Sequence, residues 1–234
     1  VRLGLPIRAA FFARPCLEVA ADLIGASLVR RLPDGTRLVG RIVEVEAYLG
    51  DGRDPGSHSH GGETPRNRSM FGPPGRLYAY RSYGIHTCAN VVCEAPGRGA
   101  AVLLRAAEPL EGEDRMRRHR GLPDAAPVRA VASGPGRLAQ AFDLGLGDDG
   151  RSLLRGAVVL RGPSPGEALP DVGRSRRIGL RRGAALPFRF YIRGHPCVSR
   201  PRFDARTPGS EELLDGLVRQ PGLPQDLPGI GVER

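Results

Sequence analysis

The sequence predicts one mixed α/β domain. Three observations carry that reading. Two β-type runs fold back on themselves across short turn sequences, helix-period segments lie between the strand candidates, and no linker or internal repeat divides the chain into two cores. A length of 234 residues allows one large domain, and a hydrophobic share of 40% supports a real core. The 33 Gly and 22 Pro imply many turns and a loop-rich surface.

Pro15 can open a short helix, PCLEVAADLI, because Leu17, Ala20, Ala21 and Ile24 recur at helical spacing and Gly25 can stop it. SLVRRL, the turn PDG and TRLVGRIVEVEAY then read as a β-hairpin. The following polar loop, DGRDPGSHSHGGETPRNRSMFGPPG, is long for a compact domain, and such loops are more often functional than idle. LYAYRSYGIHTCANVV reads as a second hairpin with Tyr83 and Gly84 near its apex. AAVLLRAAEPL is a strand running into the densely charged EGEDRMRRHR, and SGPGRLAQAFDL resembles a helix with Pro135 in its first turn. AVVLR and PFRFYIR are further strands. Residues 1–206 form the expected domain, and residues 207–234 a Gly- and Pro-rich tail with one helix turn around SEELLDGL.

RIVEVEAY, residues 41–48, raises the first chemical question. With strict alternation Ile42, Glu44, Glu46 and Tyr48 share one face, and Arg41, Val43, Val45 and Ala47 the other. Taken alone, such a strand predicts a valine side on the core and an acid side in water.

The chain has no lysine, so all 35 basic residues are arginine, and the net charge is +10. A strongly basic protein is a candidate for phosphate neutralisation on nucleic acid, although charge alone equally fits a protein with no polyanionic partner. No apolar run approaches a membrane span, and Arg8, Arg14, Glu18 and Asp22 interrupt the opening segment. A cytoplasmic location, nucleoid-associated in a bacterium, is the expectation, with the four cysteines reduced.

Three tyrosines within six residues, Tyr78, Tyr80 and Tyr83, are a local concentration in a chain with five. Packing explains Tyr78 adequately. It explains a bulky ring at a hairpin apex poorly, because turn tips face water, whereas proteins that distort DNA place such rings where they can wedge between bases. His58, His60, His86 and Cys88 have alternating spacing that could face a metal ion, but neither a CxxC nor an HExxH pattern accompanies them, so loop histidines without metal are expected. Arg105 lies in an apolar strand where an unpaired guanidinium would be expensive to bury, so it should meet a carboxylate, Glu46 or Glu44, or a ligand. None of this names a reaction.

A resemblance does. GRIVEVEAYLG, SHSHGGETPRNRSMFGPPGRLYAYRSYGIHTCANVV and AAVLLRAAEPLEG, followed in order by SGPGRLAQAF, RRIGL and PFRFYIRG, closely resemble the alkyladenine (3-methyladenine) DNA glycosylases over residues 3–200. The resemblance implies a curved, mainly antiparallel sheet with peripheral helices and a protruding hairpin. It implies an enzyme that flips alkylated or deaminated purines out of duplex DNA and hydrolyses the N-glycosidic bond. Glu46 would be the general base, with Arg105 and the main-chain carbonyl of Ile178 holding the water. Tyr48, His58 and Tyr80 would contact the extruded base, the Asn90 amide would screen it, and Tyr83 would fill the vacated stack. The implied enzyme needs no cofactor or metal, acts as a monomer on double-stranded DNA, and leaves Glu44 a structural part.

Overall fold

A computed structural model describes residues 1–50 and 52–200. Two short helices, α1 (Ala9–Phe12) and α2 (Cys16–Asp22), precede β1 (Ser27–Arg31) and the long strand β2 (Arg37–Tyr48). The polar loop holds a single 3₁₀ turn at Arg68–Phe71, and β3 (Leu77–Ser82) and β4 (His86–Cys93) form the second hairpin. β5 (Ala100–Glu111) leads into α3 (Glu113–Arg120), α4 (Arg129–Ala132) and α5 (Pro135–Ala141), and then β6 (Val158–Arg161), β7 (Val172–Ser175) and β8 (Arg189–Ile192). Both hairpins, the α2 and α5 helices and the later strands occur where periodicity places them. Four elements were not anticipated: α1, α3, α4 and β7. The first and third are single turns, too short to show a period. The helix α3 hides because charge masks its pattern, although its acids lie in the first turn and three of its four arginines in the last, where the helix dipole favours each. SEELLDGL and the whole of the expected tail lie outside the described residues.

All strand pairs are antiparallel, in one curled sheet of order β3-β4-β5-β2-β1-β6 with the β7–β8 hairpin attached to β2. β2 is long enough to have different neighbours at its two ends. Its first half pairs with β1, through Arg37 to Arg41, and Glu44 to Glu46 pair with β8. β5 runs along its other edge throughout. The two acids therefore sit in the middle of the sheet, flanked by one strand carrying Arg105 and another carrying Arg189.

The pairing of β2 with β5 slips three times, between Val39 and Gly40, between Ile42 and Glu44 and between Glu44 and Val45, and the last two slips leave Val43 and Arg105 without partners in that ladder. An extra residue of this kind reverses the alternation that follows it. Ile42 consequently packs in the main core together with Val45 and Ala47, and Val43 packs with Ala106 and Tyr191 in a smaller cluster. Strict alternation put Ile42 beside Glu44 and Val43 beside Val45. The bulge overturns that part of the reading while keeping Glu44, Glu46 and Tyr48 together.

The main core lies between one sheet face and the helices, and Leu23 beside α2 and Leu138 of α5 share one buried cluster with Leu38, Val91 and Leu104 of the sheet. Among the described residues no helix is long and apolar enough to cross a membrane.

Candidate active site

Neither acid is wet. Glu44 and Glu46 are both 0% exposed, because β8 and the segment from Ser175 to Ser199 close over the face that the sequence leaves to solvent. Two ionised carboxylates buried side by side need matching positive charge and donors. Arg105 supplies both at once: its Nε donates to Glu44 at 2.9 Å and its Nη1 to Glu46 Oε2 at 3.2 Å. Arg189 donates to Glu44 at 2.7 Å, and Ser199 adds its main-chain N–H at 2.6 Å and its hydroxyl at 2.8 Å. Burial pushes the Glu44 carboxyl up, but Arg105, Arg189 and the Ser199 amide together outweigh it and hold it below the ordinary carboxylate value. Burial likewise works against the charge on Arg105, and Glu46 and Glu44 more than restore it. Two acids and two arginines thus form one buried, hydrogen-bonded cluster. Glu44 spends its acceptors on it, which fits the expected structural part.

Glu46 is bound differently. Its Oε2 accepts the Tyr48 hydroxyl at 2.8 Å as well as Arg105, and its Oε1 accepts the main-chain N–H of Ile178 at 2.7 Å. A carboxylate offers about four acceptor positions. Three are filled among the described residues, so Oε1 retains one for a reacting proton. The resemblance brought Ile178 in through its carbonyl; the contact present in the structure is its amide N–H on Glu46.

The aromatic wall is assembled by the second hairpin. Tyr78 and Tyr80, two apart on β3, stack with centroids 5.4 Å apart, and the His58 ring meets Tyr80 edge-on at 4.4 Å. His58 Nδ1 and the Tyr78 hydroxyl are 3.0 Å apart. Tyr78 is buried as packing predicts, yet that contact also makes it the support of His58. Burial, helped by Arg66, depresses the His58 imidazole below its ordinary value and keeps it neutral at pH 7. Burial, followed by Arg66 and Asp149 acting in opposite senses, pushes the Tyr78 hydroxyl up to about 12. Burial, then Glu46, also raises the Tyr48 hydroxyl above its ordinary value, and burial, then Cys88, raises that of Tyr80, so all three remain protonated donors. Asn90, paired across the hairpin with Tyr78, donates its amide to the Tyr78 carbonyl at 3.0 Å, which fixes the side chain's orientation.

Tyr83 stands apart from this cluster at the hairpin tip. It is 84% exposed and has φ +49, and Gly84 beside it has φ +71. The Ile85 N–H closes the turn on the Ser82 carbonyl at 3.1 Å. Positive φ at both central residues is what a tight hairpin needs, and for a tyrosine it costs about 1–2 kcal/mol. Of the histidines weighed for metal all three are exposed, and only His58 contacts the wall. Among the described residues no three His, Cys, Asp or Glu side chains are grouped to hold an ion.

Sequence reasoning missed Arg189, Ser199, Asp54 and Arg177. Arg189 had a signal: like Arg105 it lies in an apolar strand. The others lie in loops, where no period marks them.

A buried carboxylate beside an arginine, a wall of ring faces and an exposed aromatic at the tip of the same hairpin suit an enzyme that works on an extruded base. Comparison gives the family. The methylpurine-DNA glycosylase profile matches residues 10–196, and the chain belongs to that family. A relative from Rhodopseudomonas palustris strain BisB18 is 48% identical over 201 residues, covering 86% of this chain and 94% of its own length. One from Methanoculleus marisnigri is 46% identical over 198 residues, covering 84% of this chain and 100% of its own. One from Chlorobaculum parvum is 48% identical over 215 residues, covering 92% and 98%. Each is provisionally named a 3-methyladenine DNA glycosylase.

Proposed function

We propose that this chain is a monofunctional DNA glycosylase that acts as a monomer on duplex DNA, extrudes an alkylated or deaminated purine and hydrolyses its N-glycosidic bond. The observation that carries the reading is the Glu46 environment. It is a buried carboxylate with one acceptor position left, anchored by Arg105 and bonded to Tyr48. In this reading water bonds to C1′ as the N-glycosidic bond breaks and its electron pair leaves with the purine. Glu46 takes the proton from that water, and Arg105 stays charged to orient it. An N-alkylated cationic purine departs neutral, so it needs less acid assistance than a neutral lesion.

Tyr48, Tyr80 and neutral His58 then receive the base by stacking and hydrogen bonding, and the oriented Asn90 amide screens its edge. Extrusion costs a few kcal/mol, less at damaged pairs, and stacking on the ring faces offsets it. Tyr83 fills the gap left in the duplex, and the arginine excess meets phosphates.

The test is release of free base from duplexes carrying 3-methyladenine, 7-methylguanine, hypoxanthine or ethenoadenine, with chelator present. Release of at least one lesion base is the expected result. Tight lesion binding with no release from any of the four would favour the other reading, a non-catalytic DNA-binding protein of the same fold. Release abolished by chelator would favour a metal-dependent hydrolase.

A further inference from the structure

Arg177 and Asp54 take no part in the reaction just described, yet their pairing is as enclosed as that of Arg189 with Glu44. Both side chains are 0% exposed, and the guanidinium grips both carboxylate oxygens at 2.6 Å. Asp54 also accepts the N–H groups of Leu49 at 3.1 Å and Gly56 at 2.9 Å, which fills its acceptor positions. Arg177 has two further anchors, donating to the Ala47 carbonyl at 3.0 Å and the Gly183 carbonyl at 2.9 Å. One side chain therefore joins strand β2, the polar loop after it and the segment carrying Ile178. The fork also lies where a larger neighbour could not fit. A Cβ at Gly56 would come within 2.8 Å of its outer nitrogen, and one at Gly183, where φ is +62, within 2.9 Å.

Stability does not account for this pair. Burying two charges costs solvation that their attraction roughly returns, and apolar side chains of equal volume often do as well. Position accounts for it better. Ala47, which Arg177 holds, lies between Glu46 and Tyr48 in the strand. The guanidinium carbon lies 4.6 Å from the centre of the Tyr48 ring. The next residue along the chain, Ile178, gives its N–H to Glu46 Oε1, and the Tyr48 hydroxyl bonds Oε2. Two of the three contacts on the Glu46 carboxylate are thus each one step from Arg177. The third, from Arg105, is held independently through Glu44.

We infer that Asp54 and Arg177 are positioning residues: the pair backs the Tyr48 ring, holds the Ile178 amide, and so sets the Glu46 carboxylate and the stacking wall in one fixed relation. This rests on the glycosylase reading above. A displacement near 1 Å at a reacting group costs about 100-fold in rate. The expected effect of loosening the pair is therefore a 10- to 100-fold loss in the bond-breaking step, by the same reasoning.

The test measures single-turnover base release at saturating enzyme, lesion-duplex affinity and thermal unfolding for Arg177→Lys, Asp54→Asn and Gly56→Ala. The last leaves both charges in place and presses on the guanidinium tip, the Arg182 carbonyl and Leu180. Each variant that remains folded should release base at least 10-fold more slowly while lesion affinity changes by less than about 3-fold. Combining Arg177→Lys with Tyr48→Phe should give less than the product of the two separate losses, because both act on the same Glu46 contact. Folded variants that release base at the wild-type rate would overturn the inference. So would a rate loss that only tracks the unfolded fraction, or strict multiplicativity with Tyr48→Phe. Should the two charge variants not fold, Gly56→Ala decides by the same criteria. Wild-type protein that releases no purine would instead refute the glycosylase reading, so the two failures are distinguishable.

Discussion

Glu44 and Glu46 are two residues apart on one strand, equally buried, and share Arg105, yet their surroundings divide their roles. Glu44 accepts four hydrogen bonds from Arg105, Arg189 and Ser199, whereas Glu46 accepts three and one of its oxygens holds the Tyr48 hydroxyl. Glu46→Gln preserves shape but cannot accept the water proton. It should lower single-turnover base release by about 100-fold or more while lesion binding persists. Near wild-type release by that variant, with loss in Glu44→Gln instead, would move the role to the neighbour. Glu44→Gln should act chiefly on folding. It leaves Arg105 and Arg189 short of a buried counter-charge, at a cost of about 3–5 kcal/mol, measurable by urea unfolding at pH 7. The same group sets a pH dependence. Its folded-state value is depressed below the ordinary 4.5, so the stability it contributes is present above about 4.5 and lost as pH falls through the lower folded value. Unfolding free energy of the native chain should decline across that window. An equal decline in Glu44→Gln would assign the effect to other groups.

At the scale of elements, the β3–β4 hairpin supplies the stacked Tyr78 and Tyr80, the supporting Asn90 and the exposed Tyr83. It concentrates its strain at the tip, where a tyrosine adopts a left-handed backbone conformation. This separates stability from function. Tyr83→Gly should unfold no more easily than the native chain, and up to about 1 kcal/mol less easily, because glycine relieves the positive φ. The variant should nevertheless lose the fluorescence change of a 2-aminopurine placed beside the lesion, since nothing then fills the vacated stack. Retention of the full signal would remove Tyr83 from the wedge role. A large loss of stability would show that the ring packs rather than inserts.

For the molecule as a whole, composition bears on the reaction's outcome. A glycosylase that also cuts the strand needs an amine to form a Schiff base with the sugar aldehyde, and this chain has no lysine. Arginine does not substitute, because its guanidinium stays protonated and is a poor nucleophile. Borohydride reduction during turnover should therefore trap no covalent protein–DNA adduct, with a known lyase as positive control. An adduct mapped to the amino terminus would overturn both the monofunctional reading and the attack by water.

Local pattern was enough for the hairpins, the α2 and α5 helices, the demand that Arg105 meet an acid, and the odd placing of Tyr83. Each of these depends on spacing or on the cost of burying one kind of group, and both are properties of residue order. The ordered motifs were enough for the family. Order along the chain could not show that the acid face of β2 is closed, because what closes it arrives from residues 175–199, more than 125 positions away. Nor could it show the slipped pairing that moves Ile42 into the core, since a bulge is a relation between two strands and not a property of either. The Asp54–Arg177 fork is invisible for the same reason: two loop residues 123 apart have no period, and only the folded chain brings their charges together out of water.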